Sequence, residues 1–472
     1  MIHRSKPLCA AVVSAALAGL GANAWGDDSA QQDVSSEIQA LKARIEQLET
    51  KQKAQQEETA KKDQELKQRD EQASFDRVLN DADRRSRLFD ETGITAGYKD
   101  NRFFIASDDG NFILRPWLHL QVRNSTVWRQ DFKHGSEDDT QNGFEIRRMK
   151  LGFDGNMFTP DLTYFFNWAT SRTNGTPVLE EAWVKYHLPS TNYYVKAGQI
   201  KDPLLHDQIV SSRYQQSAER SLTADIFANG DAFTKGATFI YDPKTWMRTE
   251  VGVNDGLRSA NTNFQDFPTN AFDWGVAGRA EFKLFGRWQD YGQVGAVDVK
   301  EPLLVIGVGA DSSQRGHATQ TVGAVDAQYA DPAGLNFYGA VVDRYTNHNF
   351  GIATQSGQGA SFIANPDPAV LGTATNEYSF LLEAGYLFSN HVEPFGRYEY
   401  MHLSGTPAGS RSYFNVITAG VNYYWYGHRA KLTAEIQYLP QGLPIDNTSN
   451  DMLASPAGHG EISGIVQFQL LL

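Results

Sequence analysis

Several common structural devices are missing from this 472-residue chain. Its one cysteine, Cys9, lies near the start, so a chain cut beyond it has no disulfide. No later stretch approaches the roughly 18 apolar residues of a membrane-spanning helix. The 11 histidines show no metal-ligand spacing, and neither a nucleophile-elbow pattern nor a Gly-rich, Lys-containing phosphate loop occurs. We therefore expect no disulfide framework, no helical membrane span, no metal, no cofactor and no enzymatic activity.

The chain start has the pattern of an export signal. Residues 3–6 (HRSK) are basic, and residues 8–20 are small or aliphatic. Residues 22–24 (ANA) then give the small-x-small pattern of a cleavage site. The apolar stretch is too short to span a bilayer. The sequence therefore predicts a cleaved signal peptide over residues 1–24.

The chain as a whole is polar but rich in aromatics. Mean hydropathy is -0.46, yet the chain has 27 Phe and 20 Tyr. This combination is expected when only every second residue of a strand meets lipid. The formal net charge of -13 argues against nucleic acid as a partner.

Residues 25–92 differ from the rest of the chain. Ile38, Leu41, Ile45 and Leu48 follow the three-and-four spacing of a coiled-coil seam, and polar residues then occupy the next seam positions. One interpretation is a short periplasmic coiled coil and linker that oligomerises. The other is a charged helix that only separates the rest of the chain from its surroundings.

From about residue 93 the apolar period changes to two. In residues 429–438, Ala430, Leu432, Ala434, Ile436 and Tyr438 alternate with polar residues. Apolar-out, polar-in alternation is typical of transmembrane strands, and about sixteen such segments fit between residues 112 and 472. The sequence therefore predicts an all-β fold, a transmembrane antiparallel barrel of about 16 strands over residues 93–472, preceded by the helical segment.

The links between these segments alternate in length. Short polar or Pro-containing links follow even-numbered strands, and long links, such as residues 201–232, 347–373 and 441–459, follow odd-numbered ones. Short periplasmic turns and long outer loops produce this alternation, which a soluble β-sandwich has no reason to show. One link, about residues 285–301, is too long for its place.

Several runs resemble the phosphate-selective porin O and P family. They are residues 144–155 (FEIRRMKLGFDG), 160–164, 198–203, 211–214 and 219–222, in the family's order. The resemblance extends from about residue 100 to the end. It implies a trimeric barrel in the outer membrane of a Gram-negative bacterium, with an inward-folded loop and passage of small anions such as phosphate or polyphosphate. The implied partners are small anionic solutes, outer-membrane lipid, lipopolysaccharide and further copies of the chain.

The lumen-facing side of the first predicted strands is mainly basic. Its basic residues are Arg115, Arg123, Arg148, Lys150, Lys185 and Lys196, and the link 201–232 adds Lys201, Arg213 and Arg220. Guanidinium groups suit phosphate because they give forked hydrogen bonds, while ammonium groups act as point charges. We take these nine residues as candidate pore-lining, anion-binding groups.

Later strands carry an acidic excess. These acids are Glu250, Asp273, Glu281, Asp326, Glu377, Glu383, Glu393, Glu399, Glu435 and Glu461. A basic wall facing an acidic wall also suits a general or carbohydrate porin with little anion preference, which is the alternative function. Most of these charges could instead simply pair across strands. An enzyme or adhesin carried on a barrel would need a catalytic set or passenger domain that the sequence does not show. Residues 423–426 (YYWY) indicate an interfacial aromatic girdle.

Overall fold

A computed structural model describes most of the region predicted to form the barrel. The described residues are 43, 44, 47, 51, 93–99, 102–131, 138–172, 174–228, 233–257, 259–261, 272–348, 372–388, 391–404, 411–443, 450–453, 455 and 459–472. The predicted signal peptide and nearly all of the predicted coiled coil lie outside this set; residues 43, 44, 47 and 51 are helical. In the described part, no helix has both the length and the apolarity needed to cross a membrane.

From residue 93 onward, the described residues form eighteen strands and two short α-helices. The strands are β1 (Ile94–Lys99), β2 (Arg102–Ser107), β3 (Ile113–Arg129), β4 (Thr140–Met157), β5 (Thr159–Thr170), β6 (Pro177–His187), β7 (Tyr193–Ile200), β8 (Thr234–Tyr241), β9 (Met247–Asn254), β10 (Trp274–Phe285), β11 (Leu303–Arg315), β12 (Ala318–Ala330), β13 (Leu335–Thr346), β14 (Thr375–Tyr386), β15 (Val392–His402), β16 (Tyr413–Tyr424), β17 (Ala430–Leu439) and β18 (Glu461–Leu471). The helices are α1 (His206–Ile209) and α2 (Leu222–Phe227).

Strands β3 to β18 form a closed antiparallel barrel of 16 strands. Each pairs with its neighbour in sequence, and β18 pairs with β3 to close the wall, from Glu461 opposite Arg129 to Leu471 opposite His119. Closure leaves no unpaired sheet edge, which is the condition for a sheet to stand in a bilayer. The predicted barrel of about sixteen strands is confirmed. Strands β1 and β2 form a hairpin that touches β3 at only two residue pairs and lies outside the closed wall.

The links differ between the two ends of the barrel. At the end where β3 begins and β18 ends, the links are Phe158, 188–192, 242–246, 286–302, 331–334, 387–391 and 425–429. At the other end they are 130–139, 171–176, 201–233, 255–273, 316–317, 347–374, 403–412 and 440–460. Most links agree with the predicted alternation. Residues 286–302 are the long exception that the sequence indicated, and the two-residue link 316–317 is a short exception at the opposite end.

Burial alternates along the wall with the side-chain period of two. On β13, Leu335, Phe337 and Val341 are exposed on the outer face, while Tyr338 and Val342 are buried inside. Of the predicted aromatic girdle, Tyr423, Trp425 and Tyr426 are exposed. The prediction was wrong for Tyr424, which is buried because it falls on the inward register and donates to Glu393 Oε2 at 2.5 Å.

The barrel interior contains a packed core formed by residues 201–228, which we call the inner loop. Leu204, Leu205, Leu222, Ile226 and Phe227 of this loop are fully buried. They form one apolar cluster with inward side chains of β12 to β17, which include Val322, Tyr338, Val342, Leu381, Met401, Phe414, Val416 and Leu439. Burial of this area away from water fixes the inner loop against the later strands.

Residues 286–302, which we call the rim segment, contact the inner loop from the opposite end of the barrel. The Val294 backbone N–H donates to the Tyr214 carbonyl at 2.9 Å. The Tyr291 ring stacks on His206 with centroids 3.8 Å apart, and the Tyr291 hydroxyl accepts from Arg279 at 3.0 Å. The unusual length of this link therefore has a structural role, which is to cover the inner loop at this end.

Candidate pore lining

A cavity of about 200 Å³ lies between the inner loop and strands β3 to β9. Its lining residues are Trp117, His119, Lys150, Phe165, Asn167, Glu180, Glu181, Trp183, Lys196, Lys201, Pro203, Ile209, Ser211, Ser212, Arg213, Arg220, Phe233 and Glu250. Five basic and three acidic side chains line it, a formal excess of two positive charges. The inner loop packs on the later strands and leaves this space along the earlier ones.

Two of the predicted residues form ion pairs at the cavity wall. Lys150 Nζ lies 2.8 Å from Glu180 Oε1, and Lys196 Nζ lies 2.5 Å from Glu250 Oε1. Each pair joins nearby strands, so these two cations are largely balanced where they stand.

Two further predicted residues, Lys201 and Arg220, hold the inner loop together. Lys201 Nζ donates to the carbonyl oxygens of residues 208, 209 and 210 at 2.9 to 3.2 Å. Arg220 donates to the carbonyls of Asp207 at 3.1 Å and Val210 at 2.7 Å. Both charges therefore stand at the C-terminal end of α1, where carbonyl groups favour cations, and both still line the cavity.

Arg213 is the basic lining residue whose charge is least neutralised by neighbouring groups. Its guanidinium carbon lies 4.3 Å from the centroid of Trp117, and Nε donates to Ser211 Oγ at 3.1 Å. No carboxylate within the described ranges forms an ion pair with it. A cation held over an indole face keeps its charge, because the ring quadrupole attracts it without neutralising it.

Arg123 and Arg148 lie beside this cavity but in a buried ionic cluster around Glu219 of the inner loop. Arg123 Nη1 and Arg148 Nη2 lie 2.7 and 2.6 Å from the Glu219 carboxylate, and Arg147 also contacts it. Burial raises the pKa of Glu219, but the charges of Arg147, Arg148 and Arg123 outweigh it and hold that pKa well below its usual range.

Arg147 was not among the predicted residues, because strict alternation puts it outside. A β-bulge explains its position: Gln121 pairs with Arg148, and the next residue, Val122, pairs with Ile146. The extra residue turns both Arg147 and Arg148 inward, where both are buried. A one-residue irregularity of this kind leaves no periodic signal in the sequence.

Arg115 and Lys185 do not line the cavity. Arg115 pairs with Asp154 at 2.8 Å and is about one third exposed. The Lys185 ammonium lies 5.8 Å from the Trp183 ring and 5.5 Å from the Tyr194 ring. The structure therefore brings five of the nine predicted residues to the cavity, two to the Glu219 cluster and two elsewhere on the same wall.

Most acids of the later strands are buried, and four of the ten, Asp326, Glu393, Glu399 and Glu435, accept hydrogen bonds from the inner loop. Glu399 accepts from the backbone N–H groups of Leu222 and Thr223 at 3.2 and 2.7 Å. Glu435 accepts from the N–H of Ala218 at 2.9 Å. Of the ten acids predicted on these strands, Glu281, Asp326, Glu377, Glu383, Glu393, Glu399, Glu435 and Glu461 are buried. These eight acids therefore do not form an acidic wall that faces the basic one across open lumen.

Aromatic side chains supply the part of the lining that the sequence did not indicate. Trp117 and Phe165 stack with centroids 5.9 Å apart and planes at 26°, and Phe165 and Trp183 with centroids 5.5 Å apart at 15°. All three rings line the cavity. Aromatic residues also occur on the outer face of the same strands. The sequence pattern therefore does not distinguish the rings that face the cavity.

The closed barrel, its inward-folded loop and its outward apolar face define the class of protein: this is an outer-membrane porin. A family model described as phosphate-selective porin O and P matches residues 123–267. This segment contains the basic strands, the β-bulge and the inner loop, so the resemblance seen in the sequence is confirmed there.

Solved porin structures are similar in fold. The anion-selective porin from Comamonas acidovorans is 11% identical, with a TM-score of 0.52 over 76% of this chain and 99% of that one. OmpF of Salmonella typhi in complex with daunomycin is 15% identical, with a TM-score of 0.48 over 77% and 99%. OprB of Pseudomonas putida is 10% identical, with a TM-score of 0.48 over 75% and 94%. No curated protein sequence matches the chain.

Proposed function

We propose that this porin prefers small anions, such as phosphate or polyphosphate, in passive diffusion across the outer membrane. The observation that carries the proposal is the asymmetric use of charge inside the barrel. Most acids of the later strands are buried, where they bond with the inner loop or pair with arginines of the barrel, whereas the cavity along the earlier strands has an excess of basic side chains. Low-dielectric walls focus the electric field of these excess positive charges and thereby raise the local concentration of anions.

The general or carbohydrate porin has weaker support. That function was favoured by an acidic wall opposite the basic one, and eight of its ten acids are buried. A transverse field needs charges of both signs to face the same passage. In this barrel the passage has Glu180, Glu181 and Glu250 as its acids, two of which pair with lysines.

The working form that we propose is a homotrimer of mature chains lacking residues 1–24. Residues 25–92 would stand in the periplasm as a coiled coil and linker, and the barrel would contact outer-membrane lipid and lipopolysaccharide. The resemblance to trimeric porins and the seam at Ile38, Leu41, Ile45 and Leu48 support this arrangement.

The proposed selectivity is tested by the zero-current potential of the reconstituted porin in a planar bilayer under a KCl gradient. We expect an anion preference for the unaltered protein. Arg213→Glu should lower the chloride-to-potassium permeability ratio by roughly tenfold, because local charges of this kind change ion concentrations by that order. Arg213 is a better choice for this test than Arg148, because replacing Arg148 would also disrupt the Glu219 cluster.

Arg411→Glu is the matched control. Arg411 is exposed near the start of β16, lies beside Tyr413 and does not line the cavity. Its reversal should leave the permeability ratio nearly unchanged. Equal ratios for the unaltered protein and Arg213→Glu would remove the anion-channel mechanism.

A further inference from the structure

The row of three rings in the cavity is built across four strands. Trp117 on β3 lies over Gly152 on β4, the residue with which it pairs, and reaches Phe165 on β5. A Cβ atom at Gly152 would stand 2.1 Å from the Trp117 ring, so this position admits no side chain while the indole lies there. Trp183 on β6 extends the row. The glycine thus leaves room for the Trp117 ring at one end of an offset-stacked row of three rings.

This row also has polar groups suited to a carboxylate beside it. Arg213 stands over Trp117 and has no carboxylate partner within the described ranges. Of the buried nitrogens on lining residues, the Trp117 Nε1–H donor has no hydrogen-bond partner in that part of the chain. His119 Nδ1 also has none, but it is an acceptor, because His119 Nε2 donates to Gln469 Oε1 at 3.3 Å. Buried polar groups are normally satisfied, and groups left unpaired beside a cavity indicate a ligand that can bond with them. An aromatic surface with a cation at one end matches a flat ring that carries an acid group.

We propose that aromatic carboxylates are solutes of this channel. In this arrangement the carboxylate accepts hydrogen bonds from Arg213 and from Trp117 Nε1–H, and the ring packs against the aromatic row at Trp183. A cavity of about 150 Å³ holds benzene, and this one measures about 200 Å³. The inference rests on the proposed anion preference and narrows it, since stacking favours unsaturated rings over saturated acids of equal charge.

The test compares benzoate with cyclohexanecarboxylate as blockers of KCl current through the full-length porin in planar bilayers. The two acids carry the same charge and nearly the same bulk, but only benzoate presents a flat π face. We expect half-blockade by benzoate at a concentration roughly three- to tenfold lower, which is the range that stacking of one aromatic pair provides. Equal blockade by the two acids would overturn the inference.

Two variants assign the difference to the cavity rings. Trp183→Leu should remove most of the preference for benzoate, and Phe165→Leu provides the same test if the first variant fails to assemble. Trp168→Leu is the control, because Trp168 lies on β5 but faces outward and is 38% exposed. Loss of the preference in Trp168→Leu, or its retention in both cavity variants, would also overturn the inference.

The proposed anion preference is measured separately on the same channels from the zero-current potential. If the channel prefers chloride but is blocked equally by both acids, the proposed function stands and only this inference is overturned. If the channel has no preference for chloride, the proposed function is overturned, whichever acid blocks more strongly.

Discussion

Glu219 shows how a single residue of the inner loop organises one wall of the barrel. Its carboxylate meets three guanidinium groups from β3 and β4, and Arg123 extends the cluster to Asp451 at 2.5 Å. A buried carboxylate in this position is stable only because several cations compensate for its loss of water. Removing it would leave those cations close together and without their shared partner.

We expect Glu219→Gln to destabilise the folded porin by about 3 kcal/mol at neutral pH, the lower part of the range for breaking a buried ion pair. The measurement is the urea unfolding midpoint of the refolded protein. Glu301→Gln, at an exposed position of the rim segment, should leave the midpoint unchanged.

The same variant has a defined pH dependence. Because the folded-state pKa of Glu219 lies below the usual 4.5, its stabilising contribution is complete above that value and is lost as the pH falls towards the folded pKa. The gap between the unaltered protein and Glu219→Gln should therefore narrow below about pH 4.5. A gap that widens on acidification would contradict this account of the cluster.

At the scale of elements, links of unequal length distinguish the two ends of the barrel. Phe158 alone joins β4 to β5, with a positive φ of 65°, whereas residues 347–374 join β13 to β14. Porins place short turns in the periplasm and long loops outside. The hairpin β1–β2 enters from the short-turn end, where β3 begins.

We expect an epitope inserted within residues 347–373 to be labelled by antibody on intact cells. An epitope in the 331–334 link should be labelled only after the outer membrane is permeabilised. The reason is that these two links lie at opposite ends of β13. The reverse labelling would mean that the barrel has the opposite orientation in the membrane. Labelling of both epitopes on intact cells would contradict the expectation that β13 crosses the membrane between the two links.

The elements also show what sequence patterns could and could not predict. Alternation along strands such as β13 and β17 predicted the wall, its approximate strand number and the long link that becomes the inner loop, because lipid imposes a strict period of two. It could not predict the bulge that turns Arg147 inward or the burial of Glu399 and Glu435 under the inner loop. Those features depend on pairing between residues far apart in the chain.

At the scale of the whole molecule, we expect association of the barrels not to depend on the segment before them. The predicted seam offers only Ile38, Leu41, Ile45 and Leu48 before polar residues take over, which is fewer apolar heptads than a stable coiled coil usually needs. The outer face of the barrel is much larger and carries many exposed apolar side chains.

We expect a chain lacking residues 33–72 to remain trimeric on mild-detergent gels, because contacts between barrel walls would supply most of the association energy. The full-length chain on the same gel is the reference. A truncated chain that runs only as a monomer would assign association to the deleted segment instead.

The apolar core of the inner loop has a consequence for the order of assembly. The inner loop follows β7, but its apolar core partners come mainly from β12 to β17, and the barrel carboxylates that accept its N–H groups lie on β12, β15 and β17. The full apolar core around the inner loop can therefore form only when β12 to β17 are in place, whereas the contacts of Glu219 with β3 and β4 need only strands that precede the loop. Because β18 follows β12 to β17 in the chain, we expect its closure on β3 to complete the wall around an inner loop that is already docked.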